Sequence, residues 1–182
     1  MKCVKKLLLV AVFTAVAGAA FLYSGVYPVG ADVEHQRWVY WLLETLRERS
    51  IARASQDIEV PALDAPELLL AGGPDYNEMC ASCHLKPGKD NSDLSIGLYP
   101  APPNLSLGSD QGQSGDDAQS AAARQFWIIK HGIKASGMPA WGPTHDDQRI
   151  WAMVAFLQKL PDLTPVQYQI LTARSESDDH GH

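Results

Sequence analysis

Residues 80–84 read Cys80-Ala81-Ser82-Cys83-His84, two thiols spaced by two residues with an imidazole directly behind the second. That spacing suits covalent attachment of a haem. Each cysteine can add across one vinyl group to form a thioether, and His84 then lies under the ring and can offer a nitrogen to the iron. A haem supplies electron transfer that no side chain supplies alone. The other readings of Cys80 and Cys83 fit less well. Zinc takes four ligands, and the only other cysteine is Cys3, 77 positions upstream. A thioredoxin-like redox pair belongs in a βαβ pattern, and none surrounds this one.

A second group lies downstream, where Gly137-Met138-Pro139 is followed by Ala140 and Trp141. A flexible residue before the methionine and a rigid one after it make this loop chemistry. Such a loop can present a thioether to the open face of a haem, and His/Met ligation raises the reduction potential. A methionine inside an apolar helix is better read as core, which suits Met153. Met79 adjoins Cys80 and is too close in sequence to cross to the far face. Met1 belongs to the N-terminal segment. Elimination leaves Met138 as the candidate second iron ligand, with His131 next in line.

On these residues the chain resembles the class I c-type cytochromes, of the kind found as cytochrome subunits of membrane dehydrogenases and terminal oxidases. The resemblance rests on Cys80-Ala81-Ser82-Cys83-His84, Pro103-Asn104-Leu105, Gly137-Met138-Pro139-Ala140-Trp141 and an amphipathic C-terminal helix, and covers roughly residues 64–163. It implies an all-α fold, a small class I cytochrome c domain around one covalently attached haem c. It implies that the carbonyl of Pro103 accepts the His84 ring N–H, fixing ring orientation and basicity. It also puts Trp141 with Pro103 among the cofactor-binding residues. If His84 and Met138 fill both axial positions, no substrate reaches the iron without displacing a ligand. The expected role is therefore single-electron transfer between a respiratory donor and an acceptor such as a terminal oxidase, either free or as a subunit of one of them, with no catalysis and no small-molecule substrate. The alternative is a haem enzyme or gas sensor with a labile distal ligand.

Something must place this domain. Lys2, Lys5 and Lys6 precede an uncharged run, residues 7–30, whose 24 residues would span about 36 Å as a helix. Positive charge before the run, and none after it until Arg37, orients the N-terminus to the cytoplasm. Tyr23 and Tyr27 fall where an outer aromatic belt would sit. The expectation is a single-pass anchor, residues 1–31, in the inner membrane with the haem domain on the exported side. The rival is a cleaved signal peptide with small-residue sites at 17–19 or 29–31. Cys3, ahead of the run, reads as a reduced cytoplasmic thiol.

Residues 32–63 read as a juxtamembrane amphipathic helix and a linker. Trp38, Trp41, Leu42, Thr45, Leu46 and Arg49 follow helical spacing. Arg37, Glu44, Arg47 and Glu48 take the other face, and His35 reads as a surface residue. The apolar stripe suits either the haem domain or a lipid or partner surface. In the haem domain, residues 64–163, a first helix is interrupted or restarted at Gly72-Gly73-Pro74. A loop fills residues 109–120, and a short helix covers residues 121–131. Thr144 is expected to cap the last helix, which carries Ile150, Trp151, Val154, Phe156 and Leu157 inward and ends at Pro161. The family resemblance crosses these terminal helices, with Tyr76 and Trp151 as the expected pair. Residues 164–182 read as a polar, disordered tail.

The chain has 182 residues and a net charge of −6. No basic nucleic-acid footprint appears. Residues 64–163 hold twelve acidic and seven basic residues. Four of the basic ones, Lys86, Lys89, Lys130 and Lys134, flank the attachment motif and the methionine loop, where they could meet an acidic redox partner.

Overall fold

The computed structural model describes residues 2–108 and 118–174. Most of the expected loop, and residues 175–182 with His180 and His182, lie outside the described residues. Among the described residues every regular element is helical, and the chain divides into two units, Met1–Val33 and Glu34–His182.

The first unit is built on α1, Lys2–Ser24, with a mean hydropathy of 2.2 and no residue buried in protein. Its 23 residues give a length of about 35 Å, enough to cross a bilayer core. A signal sequence near an N-terminus meets the same description. The apolar run was expected to stay helical to residue 30, but α1 stops at Ser24. Gly25 takes a left-handed φ of +63° there, the usual way for a glycine to end a helix.

The second unit begins with α2, Arg37–Ser55. Its inward side is not the apolar stripe. Ile51 and Ser55 are buried, and Glu48 forms an ion pair with Arg124 of α6, Ala118–His131. Trp38, Trp41, Leu42 and Leu46 stay exposed. So α2 packs on the domain through the side that carries its acidic groups. His35, expected at the surface, is half-buried edge-on to Tyr99 at 5.3 Å. Residues 59–65 are irregular but not a free linker, since Val60 and Leu63 pack against the core.

The next helix, α3, spans Pro66–Asp75, with Pro66 at its first position, where no N–H is needed. It runs through Gly72-Gly73-Pro74 without the expected restart. A Cβ on Gly72 would lie 2.1 Å from the Ala152 carbonyl oxygen, and one on Gly73 would lie 2.3 Å from that of Leu171. The glycines are the surface on which two other backbones rest, and that packing overrides the local breaking tendency. Pro74 sits inside the helix, which then widens into a π-helical turn, Tyr76–Cys80, before α4, Ala81–His84. A short α5, Asp93–Gly97, starts from a capping box on Ser92.

The partner of α3 is α7, Asp147–Lys159, whose Ile150, Met153, Val154 and Phe156 are fully buried. Its cap is Asp146, not Thr144: the Asp146 carboxylate accepts the Arg149 N–H at 2.8 Å. Thr144 lies too early and instead donates to the Trp141 carbonyl. Tyr76 and Trp151 do not pair. Tyr76 sits against Phe156 at 5.4 Å, while Trp151 stacks on Phe126 of α6 at 4.1 Å. Positions 151 and 156 are about 140° apart around a helix, so one faces α6 and the other α3.

The expected tail begins with a further helix, α8, Pro165–Leu171, capped by Thr164 and Gln167. Tyr168 is buried and meets Tyr76 edge-on at 6.3 Å. Just beyond it, Arg174 joins Asp75 and Glu78, while Arg149 makes two bonds to Asp75 at 2.6 and 2.8 Å. Asp75 is buried, so these charge-assisted bonds offset its desolvation. They also raise the Arg149 pKa above its usual value.

Candidate haem site

The attachment residues sit on a turn braced from several sides. Cys80 closes the π-helical turn, and Cys83 and His84 lie on α4. Leu85, with φ +66°, ends the helix and donates its N–H to the Ala81 carbonyl at 3.0 Å. The Tyr76 hydroxyl donates to the Leu85 carbonyl at 2.7 Å and approaches that of His84 at 3.3 Å. Burial holds the phenol well above its ordinary pKa, so it stays a donor. From the other side, Ser92, the cap of α5, donates to the Ser82 carbonyl at 2.5 Å. Spacing alone names neither the Tyr76 nor the Ser92 brace, because both join segments that meet only after folding.

The Cys80 thiol is pushed up to about 12, chiefly by burial and secondarily by Asp75 and Cys83. Reactive redox cysteines have depressed values instead. Burial lowers the His84 pKa, and the bond to Pro103 partly offsets that. The neutral imidazole is the form that binds a metal. His84 Nδ1 lies 2.9 Å from the Pro103 carbonyl oxygen. With Nδ1–H as the donor, Nε2 is the ring nitrogen presented for ligation. Asn104 secures this strand of chain: its side-chain oxygen accepts from Ser106 N at 3.1 Å, and its amide donates to the Lys89 carbonyl at 3.3 Å.

The methionine loop folds back on the end of α6. Trp141 N donates to the Ile129 carbonyl at 3.0 Å and Gly142 N to that of Lys130 at 2.9 Å. Inside the loop, Ile133 N donates to the Met138 carbonyl at 3.1 Å and Met138 N to Ser136 Oγ at 3.1 Å. Gly132 has φ +64°, and a Cβ there would lie 2.7 Å from Ala140 N. Met138 and Trp141 are half-buried against the core, as is Cys80. Met153, 1% exposed, is the core methionine that its helical position implies.

The two halves of the site touch. A Cβ on Gly137 would lie 2.7 Å from Leu98 Cδ2. Leu98 follows α5 and leads to Pro103, so the segment that orients His84 abuts the loop that carries Met138. The sequence holds no signal for Leu98. The expected lysine cluster is altered. Lys130 is tied to Asp147 at 2.6 Å and lies 5.4 Å from the Phe126 ring centroid. Lys86 stands 5.9 Å from the Tyr168 centroid, while Lys89 and Lys134 are exposed.

Among the described residues no three His, Cys, Asp or Glu side chains converge to hold a metal ion by themselves. A neutral imidazole with one nitrogen already committed, two thiols on adjoining turns and a thioether on a braced loop form a donor set that fits haem c. In comparison with protein-family models, residues 67–157, half of the chain, match the family described as cytochrome C oxidase, cbb3-type, subunit III. No curated protein and no solved structure matches.

Proposed function

Since the chain belongs to this cbb3-type family of c-type cytochromes, we propose that it is a membrane-anchored monohaem electron carrier. It passes single electrons from a respiratory donor to an acceptor such as a terminal oxidase, free or as a subunit of one of them. Cys80 and Cys83 hold the haem, and His84 and Met138 bind its iron. Bound haem c supplies a one-electron couple. The chain's own residues set the conditions for it. Pro103 aims the imidazole, Tyr76 and Ser92 hold the attachment turn, and the hydrogen bonds of residues 132–142 hold the backbone of the loop that carries the thioether. Rigid ligands keep reorganisation small when the charge on the iron changes. With α1 as an uncleaved anchor, the haem domain stands on the exported side of the inner membrane.

The observation that supports this reading is the His84 ring aimed by the Pro103 carbonyl, on a stretch of chain whose Leu98 meets Gly137 of the methionine loop. It is tested on the purified holoprotein. Full reduction should consume one electron per chain, the oxidised form should show the weak red-end absorption of methionine–iron ligation, and carbon monoxide should not bind. Ready carbon monoxide binding without that absorption would favour a ligand-binding haem enzyme or sensor instead. The anchor has its own check. Salt does not screen the hydrophobic effect, so the protein should stay with membranes through a high-salt wash. Native protein starting at Asp32 would overturn this.

A further inference from the structure

The outward face of α2 is both apolar and cationic. Trp38, Trp41, Leu42 and Leu46 lie on one side of the helix and are 65%, 66%, 51% and 66% exposed. Arg49 and Arg53 continue the same side and are exposed. Neither arginine forms an ion pair among the described residues. No acidic residue falls on this side. Glu44 and Glu48 are turned away, tied to Arg47 at 2.5 and 3.2 Å, and Glu48 also pairs with Arg124. In a chain with a net charge of −6, the folded domain has thus gathered the acids of α2 on its inner side. The outer side is left apolar and cationic. The indole N–H of Trp38 is already bonded to Gln36 Oε1 at 2.8 Å, so the ring can enter an apolar layer with its donor satisfied.

We propose that this face of α2 lies on the anionic lipid surface next to the anchor, with Trp38, Trp41, Leu42 and Leu46 in the interfacial layer and Arg49 and Arg53 at the headgroups. Tryptophans at the acyl boundary beside arginines that face phosphate are the pattern of an interfacial helix. The tether makes a bilayer the occupant at hand. Twelve residues separate Ser24 from Arg37, a reach of at most about 42 Å. The domain would then be held at two points, by α1 through the bilayer and by α2 on it, which limits its rotation. The proposal rests on α1 being retained as an anchor.

The test uses the full-length holoprotein with Cys3→Ser in vesicles of phosphatidylethanolamine and phosphatidylglycerol. Haem attachment consumes Cys80 and Cys83, so Leu42→Cys or Ala54→Cys leaves a single thiol, the first on the proposed face and the second on another exposed side of α2. A membrane-impermeant maleimide should modify position 42 several-fold more slowly than position 54, and Trp38→Ser with Trp41→Ser should remove the difference. Equal rates in vesicles would overturn the proposal, including the case where protection appears only in native membranes, which would assign the face to a protein partner. Protection that fades as protein is diluted in lipid would assign it to a second copy and also overturn it. A high-salt wash of the same vesicles reports α1 separately. Retention with equal maleimide rates refutes the α2 contact alone, whereas release of the protein refutes the anchor and the proposal with it.

Discussion

Met138→Ala is expected to leave the haem covalently attached, lower its reduction potential by on the order of 0.1 V or more, and open the iron to carbon monoxide. Axial ligands control a range of about 0.8 V, so exchanging a thioether for water or an adventitious ligand is a large change. Attachment should survive, because the thioethers proposed at Cys80 and Cys83 belong to a different segment. The loop should keep its shape, since its bonds run through the Met138 backbone, to Ile133 N and Ser136 Oγ, and those remain in the variant. The measurements are a redox titration, the red-end absorption of the oxidised form, and a carbon monoxide difference spectrum. Met153→Ala is the control: Met153 is buried in α7, so its loss should cost about 2–5 kcal/mol of stability with little change in potential. An unchanged potential and no carbon monoxide binding in Met138→Ala would exclude Met138 as the ligand and make His131 the next residue to replace.

Gly72→Ala should be the most damaging single-methyl change in the haem domain. The new Cβ would lie 2.1 Å from Ala152 O, 2.4 Å from Ala152 C and 2.8 Å from Met153 N. All three are backbone atoms and cannot rotate aside, so α3 and α7 would have to part by more than an ångström. In helix propensity alone alanine gains about 1 kcal/mol over glycine. Overpacking typically costs about 1–3 kcal/mol and occasionally more, and backbone atoms that cannot yield put this site at the upper end, so the steric effect wins and the variant is destabilised. For a domain of about 5–15 kcal/mol total stability this is a large fraction. Denaturant unfolding of the two holoproteins, followed by near-ultraviolet dichroism, reads the difference. Gly97→Ala is the matched control, since a Cβ there meets nothing within 4 Å. Equal midpoints for Gly72→Ala and the wild type would show that the crossing is looser than described.

The sequence alone carried what depends on short-range chemistry. Cys80-Ala81-Ser82-Cys83-His84 stands out in the sequence because the haem attachment proposed for it needs those side chains within one turn, whatever surrounds them. The buried side of α7 is legible because Ile150, Val154, Phe156 and Leu157 recur at helical spacing, and most of α1, though not its end at Gly25, because a long uncharged run favours a helix. The all-α class and the cytochrome resemblance follow from such local signals in order along the chain. What the tertiary structure decided are the contacts between distant segments. Gly72-Gly73-Pro74 reads locally as a break, yet the close approach of α7 and α8 keeps it helical. Residues 165–171 read as tail because a seven-residue helix has little periodicity, and only burial of Tyr168 against Tyr76 shows that they belong to the core. The nearness of the Pro103 carbonyl to His84 Nδ1 and the contact of Leu98 with Gly137 depend on where loops return, which no spacing encodes. The side of α2 that faces the domain carries buried Ile51 and Ser55 and Glu48, which reaches Arg124, 76 positions away. A hydrophobic stripe says which residues avoid water, but it does not say what covers them.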